Sequence, residues 1–162
     1  MASGRILVTG GTGSLGSEIV KTLTKTSNYE TTALDLNPPA LGIEAYPGVR
    51  YVRANILQPE ELAKVLQEAK PDIVIHTVGV FPIGAARYSQ QGREAVFDVN
   101  VQGTKNVIQA AKECGAKGLV YTSSITVIAD EIDKDFKNAD ETWPTGSAWL
   151  SYGQSKVRHL HS

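Results

Sequence analysis

The sequence predicts an α/β fold, a doubly wound parallel sheet of about five strands, on three observations. Short apolar, β-branched runs alternate along the chain with segments whose apolar residues recur at helical spacing. The first of these runs passes through the glycine cluster Gly10-Gly11-Thr12-Gly13-Ser14-Leu15-Gly16 directly into a helical pattern. Later runs, Asp72-Ile73-Val74-Ile75-His76-Thr77 above all, are apolar nearly throughout, as strands covered on both faces must be.

Arg5-Ile6-Leu7-Val8-Thr9 is the first strand, and Leu15, Ile19, Val20 and Leu23 mark the helix after the glycines. Gly11, Gly13 and Gly16 satisfy G-x-G-x-x-G, while Gly10, Gly13 and Gly16 satisfy the looser G-x-x-G-x-x-G. In a strand–turn–helix context the first glycine turns the chain at positive φ. The middle one lets backbone approach a pyrophosphate, and the last lets helix and strand pack closely. The helix N-terminus then presents unpaired N–H groups to the phosphates. A tight turn without a ligand is the alternative, and the next acidic residue argues against it. Thr31-Thr32-Ala33-Leu34-Asp35-Leu36 reads as the second strand and places Asp35 nineteen positions beyond Gly16, where a carboxylate meets the ribose hydroxyls. Asp35 also repels a 2′-phosphate, and no Arg or Lys lies in the glycine loop or directly after Asp35. The expected cofactor is therefore NAD rather than NADP.

Asn37-Pro38-Pro39-Ala40-Leu41-Gly42 reads as a surface loop. Val49-Arg50-Tyr51-Val52-Arg53 is the third strand, followed by Asn55 and Ile56, which either flank an adenine or form a plain strand-to-helix turn. Pro59, Glu60 and Glu61 open a helix with Leu62, Val65, Leu66 and Ala69 on its buried stripe. Residues 72–77 form the fourth strand, and His76 at its end reads as structural rather than catalytic. Val78-Gly79-Val80 starts a loop running to Gln91, in which Gly79 lets backbone approach the cofactor. A long helix follows, with Val96, Val99, Val107, Ile108 and Ala111 apolar and Gly115 as its stop signal. Asn100 breaks that apolar face. Its carboxamide both donates and accepts, so it either ties a neighbouring strand or water into a polar network or is simply solvated. Gly118-Leu119-Val120-Tyr121-Thr122 is the fifth strand, with Ser123 and Ser124 at the ligand end of the sheet. Residues 125–150, including Asp130, Glu131, Asp133 and Asp135 and then Asp140-Glu141-Thr142-Trp143-Pro144, read as a loop able to cover a site. A last helix starts at Ser151.

With 162 residues, a single core and a single domain over residues 1–162 are expected. A net charge of −1 with interspersed signs suggests neither a nucleic-acid nor a membrane-surface partner. The lone Cys114 has no internal disulfide partner and suggests a reducing compartment. The longest apolar run, near Ile73 to Phe81, is too short to span a bilayer, and no signal-peptide pattern opens the chain. The expected location is cytoplasmic, and no metal-ligand cluster stands out.

Tyr152 and Lys156 are four apart, which on a helix puts both side chains on one face. A phenol is a poor base at neutral pH, but a nearby ammonium favours the phenolate. Bringing its pKa from about 10 to about 7 takes about 4 kcal/mol of differential interaction. The glycine loop, Asp35, Asn100, Ser123-Ser124 and Tyr152-x-x-x-Lys156, in that order, resemble the short-chain dehydrogenase/reductase superfamily across essentially the whole chain. Thr9–Gly16, Val99-Asn100-Val101-Gln102-Gly103-Thr104, Tyr121-Thr122-Ser123-Ser124 and Asp140-Glu141-Thr142 resemble its extended branch. Within that branch the chain is most similar to 3β-hydroxysteroid dehydrogenase/isomerase-like proteins, sterol dehydrogenases included.

The resemblance implies a Rossmann-type sheet and an NAD-dependent oxidation of a secondary alcohol, 3β-hydroxysteroid or sterol-like, with a small-molecule substrate. It implies that Ser124 hydrogen-bonds the reacting oxygen and that Tyr152 takes its proton. Lys156 holds the nicotinamide ribose, which Tyr152 also adjoins, and lowers the tyrosine pKa, while Asn100 supports a water relay to Lys156. Gly10, Thr12, Gly13, Ser14, Leu15 and Gly16 bind the pyrophosphate, Asp35 the ribose, and Asn55 and Ile56 the adenine. Asn55 stands where the family more often has Asp, so a bond to the adenine amine requires its amide oxygen to face it. Extended members are about twice as long, and their C-terminal half supplies two further strands and the substrate pocket. The chain is expected to lack that part, whether as a fragment, a truncated product or a small natural protein, and to form a homo-oligomer through its open fifth strand or last helix. Two other functions share the fold: a non-catalytic NAD-binding or partner-binding module, and a nucleotide-sugar epimerase or dehydratase.

Overall fold

A computed structural model describes residues 4–26, 28–37, 39, 45–84, 86, 89–128, 138–145 and 148–157. The N-terminal residues 1–3, residues 38 and 40–42 of the loop after Asp35, the acidic residues 130, 131, 133 and 135, and Leu160 lie outside the described residues. The chain divides into two compact units, Met1–Val78 with Gly103–Thr122, and Gly79–Gln102 with Ser123–Ser162.

The first unit holds a parallel sheet of strands β1 (Gly4–Thr9), β2 (Tyr29–Asp35), β3 (Val49–Arg53), β4 (Ile73–His76) and β5 (Gly118–Tyr121), in the spatial order β3-β2-β1-β4-β5. Helices α1 (Ser14–Thr26) and α2 (Pro59–Ala69) belong to this unit. The sheet is the one expected, with the second strand starting two residues earlier and the fourth shorter at both ends. The centre of the sheet is dry: Leu7, Val8, Leu34 and Val74 have no exposed surface. Around Val8, Val20 and Ala33 pack the half-buried Ile19 and Leu23 of α1, so two of the four residues expected on its apolar stripe face β1 and β2 while Val20 is wholly buried. Leu15, the fourth, is 53% exposed at the helix start.

Asp72, just ahead of β4, gathers the starts of three neighbouring strands. Its carboxylate accepts from the Arg5 backbone N–H at 2.9 Å and pairs with Lys117 Nζ at 2.9 Å and Arg5 Nε at 3.5 Å. Hydrogen bonding from Lys117 and then from Arg5 holds the Asp72 pKa at about 2. His76 is fully buried between Thr9 and Thr104, with Nδ1 2.6 Å from the Thr9 hydroxyl and Nε2 2.9 Å from the Thr104 hydroxyl, and its ring stacks on Tyr121. A buried imidazole with a hydroxyl at each nitrogen is a satisfied core group, as its sequence context suggested.

The long helix expected through residue 114 is three pieces. Helix α3 (Arg93–Phe97) runs into a π-helical turn, Asp98–Gly103, and α4 (Thr104–Glu113) follows. The wider turn changes the helical phase. It brings Asn100, Val101 and Thr104 to full or near-full burial, leaving Val99 only half-buried where simple 3.6-residue spacing puts it inward. Helix α4 ends as expected ahead of Gly115, with Ala116 N–H bonded to Ala111 C=O at 3.0 Å in a Schellman-type closure. In the second unit, helix α5 (Ser151–Val157) packs on α3 and on the single 3₁₀ turn Ile125–Val127. Among the described residues no helix is long and apolar enough to cross a membrane.

Candidate active site

The glycine loop makes a tight turn between β1 and α1. Gly10 takes φ +72°, so it rather than Gly11 makes the turn, and the Gly10, Gly13, Gly16 spacing describes the loop better. A Cβ on Gly10 also meets the Thr77 hydroxyl at 2.7 Å. A Cβ on Gly16 collides with the Gly10 carbonyl oxygen, which fixes the first turn of α1 directly on the loop. Gly13, Ser14 and Leu15 are exposed at that helix start. The first turn of α1 carries no acidic side chain, in contrast to α2, where Glu60 and Glu61 occupy the positive end of the helix. The positive end of the α1 dipole therefore has no acidic side chain of its own helix beside it.

Asp35 closes the loop on the β2 side. Its carboxylate accepts from Thr12 N–H and from Asn37 N–H, both at 3.2 Å, while Thr12 Oγ1 donates to the Asn37 carbonyl at 2.9 Å and Gly11 N–H to the Leu34 carbonyl at 3.1 Å. Loop and strand end are therefore one hydrogen-bonded piece. Asn55 and Ile56 sit at the end of β3, where the turn itself engages both. Asn55 Oδ1 accepts from Leu57 N–H at 2.9 Å, so the amide oxygen that an adenine amine requires already serves the turn. Ile56 is 5% exposed, its side chain against Gly103 and its carbonyl accepting from Asn106 Nδ2 at 2.8 Å.

The second unit gathers Asn100, Tyr152 and Lys156. Asn100 is fully buried and grips Val80 by both backbone groups, accepting from Val80 N–H and donating to Val80 C=O, each at 2.8 Å. Its amide nitrogen also donates to Ser155 Oγ at 2.9 Å, and that hydroxyl donates to the Tyr152 carbonyl at 2.7 Å. The solvated alternative for Asn100 is thereby excluded. Of the two network partners suggested by sequence, strand or water, the carboxamide instead holds the loop after β4. Lys156 is 3% exposed, with Nζ 5.9 Å from the centre of the Tyr152 ring, and burial lowers its pKa to about 8. Gly79 leaves room for this ammonium: a Cβ there lies 3.0 Å from Lys156 Nζ and 3.6 Å from Asn100 Oδ1.

Ser124 caps the Ile125–Val127 turn that packs on α5, its Oγ accepting from Thr126 N–H at 3.3 Å and Thr126 Oγ1 at 2.9 Å. Sequence reasoning missed two members of this unit. Ser155, between the two residues of the Tyr-x-x-x-Lys pattern, links Asn100 to Tyr152, and the exposed Phe81 sets its ring edge-on to Tyr152 with centroids 6.0 Å apart. The spacing of the motif pointed at Ser155's neighbours only, and no local pattern announces the burial of its hydroxyl, which the fold alone brings to Asn100.

A five-stranded parallel sheet with a glycine loop at one helix start, and Tyr152 and Lys156 on one helix, defines the class: an extended short-chain dehydrogenase/reductase with a Rossmann-like sheet. Residues 7–158 match the 3-beta hydroxysteroid dehydrogenase/isomerase family, and the chain belongs to that family. It is 35% identical over 156 residues to a 3-beta-hydroxysteroid dehydrogenase of Mycolicibacterium neoaurum, covering 95% of this chain and 41% of that one. It is 29% identical over 159 residues to a decarboxylating sterol-4-alpha-carboxylate 3-dehydrogenase of Candida albicans, covering 94% and 43%. Among solved structures, the UDP-glucose 4-epimerase of Thermus thermophilus in complex with NAD superposes with a TM-score of 0.82 at 28% identity, over 97% of this chain and 49% of that one. The chain thus spans about two-fifths of the length of the curated relatives it matches.

Proposed function

We propose that this chain is the cofactor-binding part of an NAD-dependent dehydrogenase that oxidises a secondary alcohol on an apolar, sterol-like substrate. The observation that carries the reading is the half-buried Tyr152 ring beside the buried Lys156 ammonium, on a helix whose Tyr152 carbonyl is tied to Asn100 through Ser155. The glycine loop forms a cradle that fits the dinucleotide: glycines where a Cβ collides, a helix start without an acid, and Asp35 held by backbone N–H groups at the strand end. When bound, NAD supplies the hydride acceptor. Gly10, Thr12, Gly13, Ser14, Leu15 and Gly16 hold the pyrophosphate and Asp35 the ribose hydroxyls, while Asn55 and Ile56 border the adenine. Tyr152 accepts the proton of the substrate hydroxyl, whose oxygen Ser124 orients. Lys156, mostly an ammonium at neutral pH with a pKa of about 8, stands beside the Tyr152 ring and holds the nicotinamide ribose. Asn100 fixes the loop at Val80 and thereby the room in which Lys156 sits.

The exposed Phe81 ring set against Tyr152 favours an apolar substrate over a sugar nucleotide. The test is NAD reduction by the purified protein with 3β-hydroxysterols and, in a parallel arm, conversion of UDP-glucose to its 4-epimer, which consumes no NAD. Turnover of the sterol alone is expected, and Tyr152→Phe should lose at least about a thousandfold of it while NAD affinity changes by less than about twofold. UDP-glucose turnover without sterol turnover instead assigns an epimerase, and NAD binding with no turnover in either arm assigns a non-catalytic module. We further propose a cytoplasmic location and self-association along β5, an edge strand whose Val120 is 54% exposed. Light scattering should show a dimer or larger species that Val120→Lys dissociates.

A further inference from the structure

The cofactor choice drawn from Asp35 alone leaves out a cation that strand pairing brings beside it. Arg53 ends β3 as the register partner of Asp35 on β2, and paired residues of adjacent parallel strands emerge on the same face of a sheet. Its Nε donates to the Leu36 carbonyl at 3.1 Å, one residue beyond Asp35. That bond fixes the root of the guanidinium at the end of β2. Among the described residues this is its single hydrogen bond, and no carboxylate lies within ion-pair distance. Arg53 is exposed, and among the described residues its two terminal nitrogens make no hydrogen bond. The Asp35 carboxylate, by contrast, is held by Thr12 and Asn37 N–H groups, so the two charges are separately anchored and do not cancel in an ion pair.

We propose that Arg53 lets this chain admit a 2′-phosphorylated dinucleotide, so that Asp35 and Arg53 together set the cofactor preference. This rests on the dinucleotide reading of the cradle. A ribose with free hydroxyls is served by the Asp35 carboxylate. A 2′-phosphate is repelled by that carboxylate but meets a guanidinium fork pre-oriented by its Nε bond, the geometry that suits a phosphate. The result is a chain that prefers NAD and tolerates NADP, and in which removing the carboxylate reverses the preference. The cation is invisible in local sequence because it stands eighteen residues after Asp35 and reaches it only through the β2–β3 pairing.

Calorimetric titration with NAD and with NADP tests this on the wild type, Asp35→Ser, Arg53→Gln, Arg53→Lys and the Asp35→Ser/Arg53→Gln double variant. Thermal melts by circular dichroism confirm folding, which the exposure of Arg53 favours. We expect Asp35→Ser to gain about tenfold or more in NADP affinity and the double variant to lose that gain. Arg53→Gln alone should weaken NADP about tenfold and NAD less than about twofold, with Arg53→Lys retaining most NADP binding because the charge remains. An NADP gain that persists in the double variant overturns the proposal, as does an Arg53→Gln variant that weakens both nucleotides alike. Either result leaves NAD binding by the cradle standing. Failure of the wild type to bind either nucleotide overturns the cradle reading itself, and this proposal with it.

Discussion

Lys156 shows what the site costs the fold. Its side chain is all but removed from water, and desolvation brings its pKa from 10.5 to about 8. Because the folded value is the lower one, the unfolded chain binds the extra proton between those two pH values, and stability rises with pH through that window. Below about pH 8 the full cost of burying the ammonium is present, on the order of 3 kcal/mol. Denaturant titrations of the wild type and Lys156→Met should therefore differ by an amount that shifts in favour of the wild type by about this much between pH 8 and 10.5. A pH-independent difference shows that the lysine titrates at its ordinary value. Residues of this kind were legible in part. The Tyr152–Lys156 spacing announced the pair, and the order of motifs supplied Asn100 and Asp35. The partners of Asn100 were not legible, because Val80 and Ser155 lie 20 and 55 residues away and only the fold brings them to it. The same holds for Asp35 and Arg53.

At the scale of elements, strand identities followed from apolar runs and their order from β-α-β alternation, because buried parallel strands carry nearly continuous apolar sequence. The π-helical turn at Asp98–Gly103 was not foreseeable from a 3.6-residue template, since the phase change becomes visible only as the burial of Asn100, Val101 and Thr104. Nor does any local pattern announce the clip at Asp72, which joins the starts of β1, β4 and β5 through Arg5 and Lys117. Its titration gives a second prediction. The folded pKa of about 2 lies below the ordinary carboxylate value of 3.8, so the contribution of the clip is present above about pH 4 and disappears as the pH falls to about 2. Acid unfolding should show the wild type more stable than Asp72→Asn at neutral pH, with the difference shrinking across that interval and also with added salt. A difference that survives at pH 2 assigns the effect to packing instead.

For the molecule as a whole, the apolar core is unevenly shared. The buried side chains of the sheet unit include Leu7, Val8, Val20, Leu34, Leu62, Leu66, Val74 and Val107. The second unit contributes only Val96, Val101, Val127 and Ala148 among the described residues, and leans on polar links such as Asn100 to Val80 and Ser155. Burial of apolar surface sets most of the free energy of local opening, so the two units should not be equally resistant to it. Hydrogen exchange resolved by mass spectrometry should find amides of β1, β2 and β4 exchanging only through global unfolding, with α3 and α5 opening at markedly lower free energy. Tyr152 and Lys156 lie on the unit with the smaller apolar core, where polar links weigh more. Asn100→Ala removes the clamp on Val80 and its donor to Ser155, so exchange in α5 and around Val80 should accelerate about tenfold or more while the sheet amides stay unchanged. Uniform acceleration across both units shows that they open together. Unchanged exchange in α5 removes Asn100 from the support of the Tyr152–Lys156 pair.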